Sequence, residues 1–140
     1  MDVREVMTTN PGVCFGVDHC AQAARLMRER QCGFLPVVSS YATMRVIGVV
    51  TDRDIAMFLS EVEITATQAR LDRCMTCNPT TIAPEAPVEE AAAVMKRMGV
   101  HRLPVVEDER LVGVVALKDL ASRAAEKCVT EIVEAIACSR

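Results

Sequence analysis

The chain contains the sequence LPVV twice, at Leu35–Val38 and again at Leu103–Val106. The same offset of 68 residues superimposes MTTNP (Met7–Pro11) on MTCNP (Met75–Pro79). Chance similarity does not keep register over such a length, and self-similarity at a fixed period is typical of duplicated structural units. The chain is therefore an internal duplication, and its fold is that of one unit formed twice.

The register continues past the repeated LPVV, with one adjustment. The first copy has three extra residues near 39–44, after which the offset falls to 65 residues. GVV at Gly48–Val50 then matches GVV at Gly113–Val115, and Asp54 matches Asp119. Each copy thus ends on the same glycine-containing strand, followed by an acidic residue in a predicted helix.

Each copy has one order of elements, β-α-β-β-α. A short strand precedes a helix, two strands joined by a polar hairpin follow, and a second helix closes the unit. The first helix of each copy has apolar residues at helical spacing: Cys20, Ala23, Ala24 and Met27, then Val88, Ala91, Ala92 and Met95. The pattern predicts an α+β fold in which two β-α-β-β-α repeats pack with pseudo-two-fold symmetry.

The duplication also predicts the domain organisation. Residues 1–66 form the first repeat, residues 67–125 the second, with a linker at 68–72, and residues 126–140 a C-terminal helical extension. A unit of about 60 residues with two amphipathic helices buries too little surface to stand alone. We therefore expect the repeats to pack together and to leave clefts at their junction. An apolar stripe from Ala121 to Ile136 predicts an oligomerisation or capping helix.

Composition excludes several classes of function. Aromatic residues make up only 3% of the chain, and the net charge is −3 with a pI near 5.4. A nucleic-acid partner is not expected, because the chain lacks both stacking surfaces and a basic footprint. The N-terminus has no apolar run, so neither a signal peptide nor a membrane partner is expected. Seven cysteines without an export signal are typical of reduced thiols and predict a cytoplasmic protein.

The stretch GVVTDRD (Gly48–Asp54), which follows LPVV and precedes a helix, resembles the signature of the CBS domain, the repeat named after cystathionine β-synthase. The resemblance covers about residues 1–125. It implies a disc-like pair of repeats that often forms homodimers. It also implies binding of AMP, ADP, ATP or S-adenosylmethionine as regulatory ligands, with no required cofactor and no catalysis.

Thr51 and Asp54 carry the ligand prediction in the first repeat. Thr51 lies at the strand-to-helix turn, beside the free N–H groups of a helix start, where phosphate or ribose oxygens bind well. Asp54 can accept hydrogen bonds from both hydroxyls of a ribose cis-diol. The resemblance assigns both residues to ribose and phosphate. Thr51-Asp52-Arg53-Asp54 is also close to a capping box, which would only start the helix.

A basic element lies in the second repeat. His101-Arg102 resembles the His-Arg pair that contacts ligand phosphate in the regulatory subunit of AMP-activated protein kinase. The planar guanidinium of Arg102 matches phosphate oxygens, and His101 adds a donor near neutral pH. Arg53 and Lys118 are further phosphate candidates. The alternative for Arg53 and Arg102 is a surface ion pair with some of the 19 acidic residues.

The two repeats are not equivalent at these positions. Where the second has His101-Arg102 the first has Gly33-Phe34, and where the first has Thr51 the second has Ala116, although Asp119 remains. One competent site is therefore expected, with phosphate held across the cleft. The resemblance places the adenine slot at the first strand and near the second, at Val13, Cys14, Pro36 and Thr81 with Ile82.

Two other functions stay open. Cys74-Met75-Thr76-Cys77 is a CxxC, which suits a thiol or metal sensor, but no second CxxC accompanies it. The other alternative is a ligand-independent dimerisation scaffold in which Thr51 only caps a helix. No nucleophile with a partnered base is evident, so an enzyme is not expected. Without an output domain, the regulated target would be another, unidentified protein.

Overall fold

The computed structural model describes residues 1–122 of the chain. Its helices are α1 (Cys20–Arg30), α2 (Asp52–Glu61), α3 (Val88–Met98) and a helical segment over residues 117–122. Its strands are β1 (Thr8–Thr9), β2 (Cys14–Phe15), β3 (Phe34–Val38), β4 (Val46–Thr51), β5 (Thr76–Cys77), β6 (Arg102–Glu107) and β7 (Arg110–Ala116). The predicted extension at 126–140 lies outside the described residues, as does most of the apolar stripe that begins at Ala121.

The strands form two sheets, one for each repeat. One sheet has the order β2-β3-β4-β5 and the other β1-β7-β6. The hairpins β3–β4 and β6–β7 are antiparallel, whereas β2 runs parallel to β3. The α+β fold of two tandem repeats, predicted from the duplication, is confirmed. None of the helices within residues 1–122 is both long enough and apolar enough to span a bilayer.

The opening segment of each repeat belongs to the sheet of the other repeat. β1 pairs with β7 through Thr8–Val114 and Thr9–Gly113. β5 pairs with β4 through Gly48–Cys77 and Val49–Thr76. The sequence order β-α-β-β-α thus describes each copy but not each sheet, because the two copies exchange their first segments.

The cores show the same exchange. Val3, in the first repeat, is fully buried in the core of the second, whereas Leu71, in the second, is fully buried in the core of the first. The expected linker at residues 68–72 is therefore not a free connection. Ala69 is also fully buried in the first core, and the Leu71 N–H donates to the Asp18 carbonyl at 2.8 Å. The repeats are therefore joined through packed residues.

Gly48 and Gly113 are required by this exchange. A Cβ on Gly48 would lie 2.9 Å from the Thr76 carbonyl oxygen, and one on Gly113 would lie 2.8 Å from the Thr8 carbonyl oxygen. Both distances are shorter than real Cβ contacts, because the exchanged strand pairs directly beside each glycine. In each copy, the strand that contains the repeated GVV thus pairs with the first strand of the other copy.

Candidate functional site: the cleft between the repeats

A cavity of about 780 Å³ lies between the repeats. Its walls come from four segments in both copies, at residues 33–34, 51–54, 78–80 and 98–104, together with Val49 and Thr76. Small-molecule sites commonly have volumes of about 300–1,000 Å³. A shallower cavity of about 370 Å³ adjoins it and shares Gly33, Asp52 and Arg102. The cleft therefore extends from the repeat junction toward α1.

Thr51 and Asp54 form a reciprocal cap at the start of α2. The Asp54 N–H donates to Thr51 Oγ1 at 3.0 Å, and the Thr51 N–H donates to Asp54 Oδ2 at 3.0 Å. The capping box expected as the alternative to ligand binding is present. It leaves the Thr51 hydroxyl hydrogen and the other carboxylate oxygen, Asp54 Oδ1, available, and both residues line the cavity. The cap fixes these two groups at the cleft instead of removing them from it.

The strand-to-helix turns of the two repeats are built alike. The Asp52 N–H donates to the Gly33 carbonyl at 3.0 Å, and the Leu117 N–H donates to the His101 carbonyl at 2.8 Å. These bonds hold the residue before each central strand against the start of the following helix. Gly33 and His101 are thus equivalent in structure, and only the second has a side chain to offer a ligand.

The cations predicted from sequence line the same cavity. Arg53 projects from the start of α2, and His101 and Arg102 lie where β6 begins, in the other repeat. The ion pairs found within residues 1–122 join other residues, namely Arg4 with Glu107, Arg45 with Glu109 and Arg70 with Asp72. In this part of the chain, Arg53 and Arg102 therefore do not form the surface ion pairs expected as the alternative.

Other predicted positions do not line the cavity. Asp119 is half-buried on the helical segment at 117–122, away from this cleft. Cys14 and Pro36 are buried among core residues, Val13 is half-buried, and Thr81 is exposed. Cys14 pairs in register with Val37 in the first sheet, so its side chain packs within that sheet's core. Thr80, one residue before Thr81, does line the cavity.

Sequence reasoning missed an apolar part of the wall. Met98 and Val100 are 50% and 38% exposed, and both line the cavity together with Pro79. Gly99 between them ends α3 in the left-handed conformation, with φ of +68°, and so turns the chain along the cleft. The glycine that ends the helix could have predicted this turn from the sequence. The position of Asn78 and Pro79 at the cleft could not be predicted, because it depends on the pairing of strand β5 with the other repeat.

The pseudo-symmetric cleft differs at the corresponding residues. The offset of 68 makes Arg30 the counterpart of Met98, and Asn10 the counterpart of Asn78. Arg30 Nη1 donates to the Asn10 carbonyl at 3.2 Å, so this side chain reaches across the position that is open in the first cleft. Ala116 replaces Thr51 and provides no hydroxyl.

The architecture is that of a duplicated repeat pair with a ligand-sized cleft at its junction. The model of the CBS domain matches residues 3–61 and 71–126. This chain belongs to the CBS domain family and contains a CBS domain pair.

Related proteins share this arrangement over most of their length. Hypoxic response protein 1 of Mycobacterium tuberculosis (strain ATCC 25618 / H37Rv) is 31% identical over 135 residues, covering 95% of this chain and 92% of the relative. A crystal structure of hypoxic response protein 1 with two coordinated zinc ions has a TM-score of 0.79 at 27% identity, covering 87% of this chain and 98% of that one.

Two ligand complexes have the same fold. The CBS domain pair of protein MJ0100, in complex with 5′-methylthioadenosine and S-adenosyl-L-methionine, has a TM-score of 0.80 at 24% identity and covers 91% of this chain and 98% of its own. CBSX2 in complex with AMP has a TM-score of 0.73 at 24% identity and covers 89% and 96%. At this identity the likeness concerns the fold.

Proposed function

We propose that this CBS pair is a regulatory sensor that binds one adenine nucleotide or related adenosyl ligand in the cleft between its repeats, without catalysis of its own. The observation that carries the proposal is the single cavity that gathers Thr51 and Asp54 from one repeat and His101 and Arg102 from the other. The fold itself accommodates adenosyl ligands in the MJ0100 and CBSX2 structures.

The groups left over by the capping box suit the ribose. Asp54 Oδ1 accepts from a ribose hydroxyl, and the Thr51 hydroxyl donates to a ribose or phosphate oxygen. Arg102 and Arg53 supply charge-assisted donors to phosphate, and His101 adds a further donor when its ring presents an N–H. The half-buried position of Arg102 favours an anion, because a cation withdrawn from water needs a compensating charge.

The apolar wall suits the base. Met98 and Val100 are exposed at the cavity, where their burial against a purine face removes apolar surface from water. A thioether such as that of Met98 also makes favourable contacts with aromatic rings. We therefore assign the base to this wall and not to the adenine-slot positions expected from sequence, which do not line the cavity.

Binding would signal through the junction. A ligand held by residues of both repeats favours the relative arrangement in which those residues fit it best, by its difference in affinity between arrangements. The output would then be read by a partner protein that contacts the pair.

A ligand panel tests the proposal. AMP, ADP, ATP, S-adenosylmethionine, adenosine and, as a base control, GMP are each titrated by calorimetry and scored by thermal shift. At 100 times its Kd, a ligand adds about 2.7 kcal/mol of stability. We expect saturable binding of at least one adenosyl ligand with one site per chain. A flat panel would leave the dimerisation scaffold as the better account.

Self-association is a second proposal, carried by a different observation. Met57 on α2 is 53% exposed, and Leu117 at the start of the last helical segment is 40% exposed. Exposed apolar side chains on two helices favour a protein partner, and a second copy of the chain is the simplest one. Sedimentation of the wild type and of Met57→Lys tests this. A dimer weakened by the substitution supports it, and a monomeric wild type contradicts it.

A further inference from the structure

Two cysteines far apart in sequence lie side by side. Cys20 Sγ and Cys74 Sγ are 3.7 Å apart, although 54 residues separate them along the chain. Cys20 is the first residue of α1 and is fully buried, while Cys74 is half-buried and follows the 3₁₀ turn at Leu71–Arg73. Neither thiol takes part in the ligand site proposed above.

The backbone holds these two positions in register. His19 and Arg70 form an isolated antiparallel bridge. On either side of it, the Cys20 N–H donates to the Ala69 carbonyl at 2.8 Å and the Leu71 N–H donates to the Asp18 carbonyl at 2.8 Å. The Cys74 N–H closes the turn by donating to the Leu71 carbonyl at 3.0 Å. The proximity of the two sulfurs therefore follows from main-chain pairing and does not depend on side-chain choice alone.

The CxxC motif suggests Cys77 as the partner of Cys74, but the thiol that lies beside Cys74 is that of Cys20. Cys77 lies on strand β5, opposite Gly48, and is exposed. Within residues 1–122, the sulfur that lies next to Cys74 Sγ is Cys20 Sγ. No group of three or more metal-ligating side chains occurs in this same part of the chain, so a cysteine pair is what the geometry offers.

We propose that Cys20 and Cys74 are a reversible thiol-oxidation site that forms an intrachain disulfide when hydrogen peroxide is the oxidant. The Cys74 thiolate attacks the peroxide, an S–O bond forms, the O–O bond breaks, and the hydroxide released takes up the thiol proton to become water. Cys20 sulfur then attacks Cys74 sulfur, forming S–S and breaking S–O, and its own proton leaves with the hydroxyl as a second water. The two thiols are oxidised and the peroxide is reduced.

The geometry needs only a local adjustment. An S–S bond is about 2.05 Å long, so the sulfurs must approach by roughly 1.7 Å, a movement within the reach of side-chain rotation. The disulfide would fix the segment that leads from Cys74 into β5 and then into Asn78–Thr80, which line the cleft. Oxidation would thus tether one wall of the cavity to α1.

The surroundings set the rate. Burial first, then the hydrogen bond with Cys20 and the charges of Cys20, Asp54 and Asp72, raise the pKa of Cys74 to about 12. Thiolate is therefore scarce at neutral pH, and oxidation is slow there. Because the thiolate is the nucleophile, the rate should rise about tenfold per pH unit over the alkaline range in which the fold persists.

Peptide mapping tests the proposal in the full chain carrying Cys128→Ser and Cys138→Ser. The protein is oxidised with hydrogen peroxide at pH 7 and pH 9, then alkylated in denaturant and digested with trypsin. Cys20 lies in the peptide 5–25 with Cys14, and Cys74 lies in 74–96 with Cys77. We expect these peptides joined with loss of two hydrogens, fragment ions assigning Cys20 and Cys74, and faster formation at pH 9.

Matched variants decide the pairing. The linked peptides should persist in Cys77→Ser, disappear in Cys74→Ala and Cys20→Ala, and separate on treatment with dithiothreitol. The disulfide would close a loop between residues that are 54 positions apart, which should raise the Tm of the oxidised protein by about 10 °C. Two outcomes would overturn the proposal. One is that the linked peptides persist in Cys74→Ala, and the other is that oxidation yields only sulfinic acid on these thiols and no linked peptides. If a further variant does not fold, fragment ions from the chain carrying only Cys128→Ser and Cys138→Ser decide the question.

Discussion

Thr51 and Asp54 cap each other through two hydrogen bonds of 3.0 Å, each main-chain N–H donating to the side chain of the other residue. From sequence, the helix cap and the ligand site were competing interpretations of the same four residues. The structure makes them compatible, because the cap uses one acceptor on each side chain and leaves Asp54 Oδ1 and the Thr51 hydroxyl hydrogen at the cavity. A pre-formed cap also lowers the entropy cost of binding, since both side chains are already ordered.

Asp54 substitutions separate these two roles. Asp54→Asn keeps an acceptor for the Thr51 N–H but loses the charge, so stability should change little while affinity for AMP falls. Asp54→Ala loses both and should also lower the free energy of unfolding by about 0.5–1 kcal/mol. Affinity should fall about 10- to 100-fold in Asp54→Ala, the range for lost hydrogen bonds to a charged group. Calorimetry and urea unfolding measure the two effects, with Asp119→Ala as the control off this cavity. Unchanged affinity in Asp54→Ala would remove Asp54 from the site.

The duplication and periodicity were enough to predict the elements and which of their faces are buried. They could not predict which core receives those faces. Val3 and Leu71 occupy equivalent positions at the start of the two copies, and nothing in their spacing shows that each packs into the other repeat. That exchange also explains why Asn78 and Pro79 were missed, since they reach the cleft directly after β5, which pairs with β4. The predicted ribose and phosphate residues Thr51, Asp54, His101 and Arg102 line the cavity, whereas the positions predicted for the adenine slot do not.

Arg102 should distinguish nucleotides from nucleosides. It is half-buried at the start of β6 and lines both cavities, and under the proposed function its guanidinium binds the phosphate. Arg102→Ala should weaken AMP binding about 10- to 100-fold and leave adenosine nearly unaffected, because only charge-assisted bonds are lost. Arg25→Ala, an exposed substitution on α1 outside both cavities, is the matched control. An equal loss for AMP and adenosine would mean that Arg102 supports the fold of the cleft and does not contact phosphate.

Arg30 and Ala116 should explain why one site is expected instead of two. Arg30 donates to the Asn10 carbonyl where Met98 leaves the first cleft open, and Ala116 lacks the hydroxyl of Thr51. The double variant Arg30→Met with Ala116→Thr should therefore gain a second, weaker site. Because Gly33-Phe34 stand where the first site has His101-Arg102, the new site should bind AMP no better than adenosine. Stoichiometry by calorimetry measures this, and a value that stays at one per chain contradicts it.

Two cysteine thiols should make the free energy of unfolding fall at alkaline pH. Burial, followed by the charges of Asp18 and Cys32, raises the pKa of Cys14 from 9.0 to about 12, and burial is also the main cause of the raised pKa of about 12 at Cys74. The folded state therefore holds these protons more tightly than the unfolded state. Their contribution is complete below about pH 9 and is lost as the pH rises toward 12. Urea unfolding at pH 8, 9, 10 and 11 should show a shallower fall in stability for Cys14→Ala than for wild type. Parallel curves would show that ionisation of Cys14 is not linked to unfolding.

The two equivalent helix ends should respond in opposite directions to exchange of their capping residues. Gly99 ends α3 with φ of +68°, and Gln31 ends α1 with φ of +53°, both left-handed. A Cβ on Gly99 would have no heavy atom within 4 Å, so the cost of Gly99→Ala is that of the backbone conformation alone, about 1 kcal/mol. Gln31→Gly relieves the same strain and should add about 0.5–1 kcal/mol, less the greater freedom of glycine in the unfolded chain. Urea unfolding of both variants at pH 7 measures the two changes. Loss of stability in Gln31→Gly would show that the glutamine side chain contributes more at this turn than its backbone strain costs.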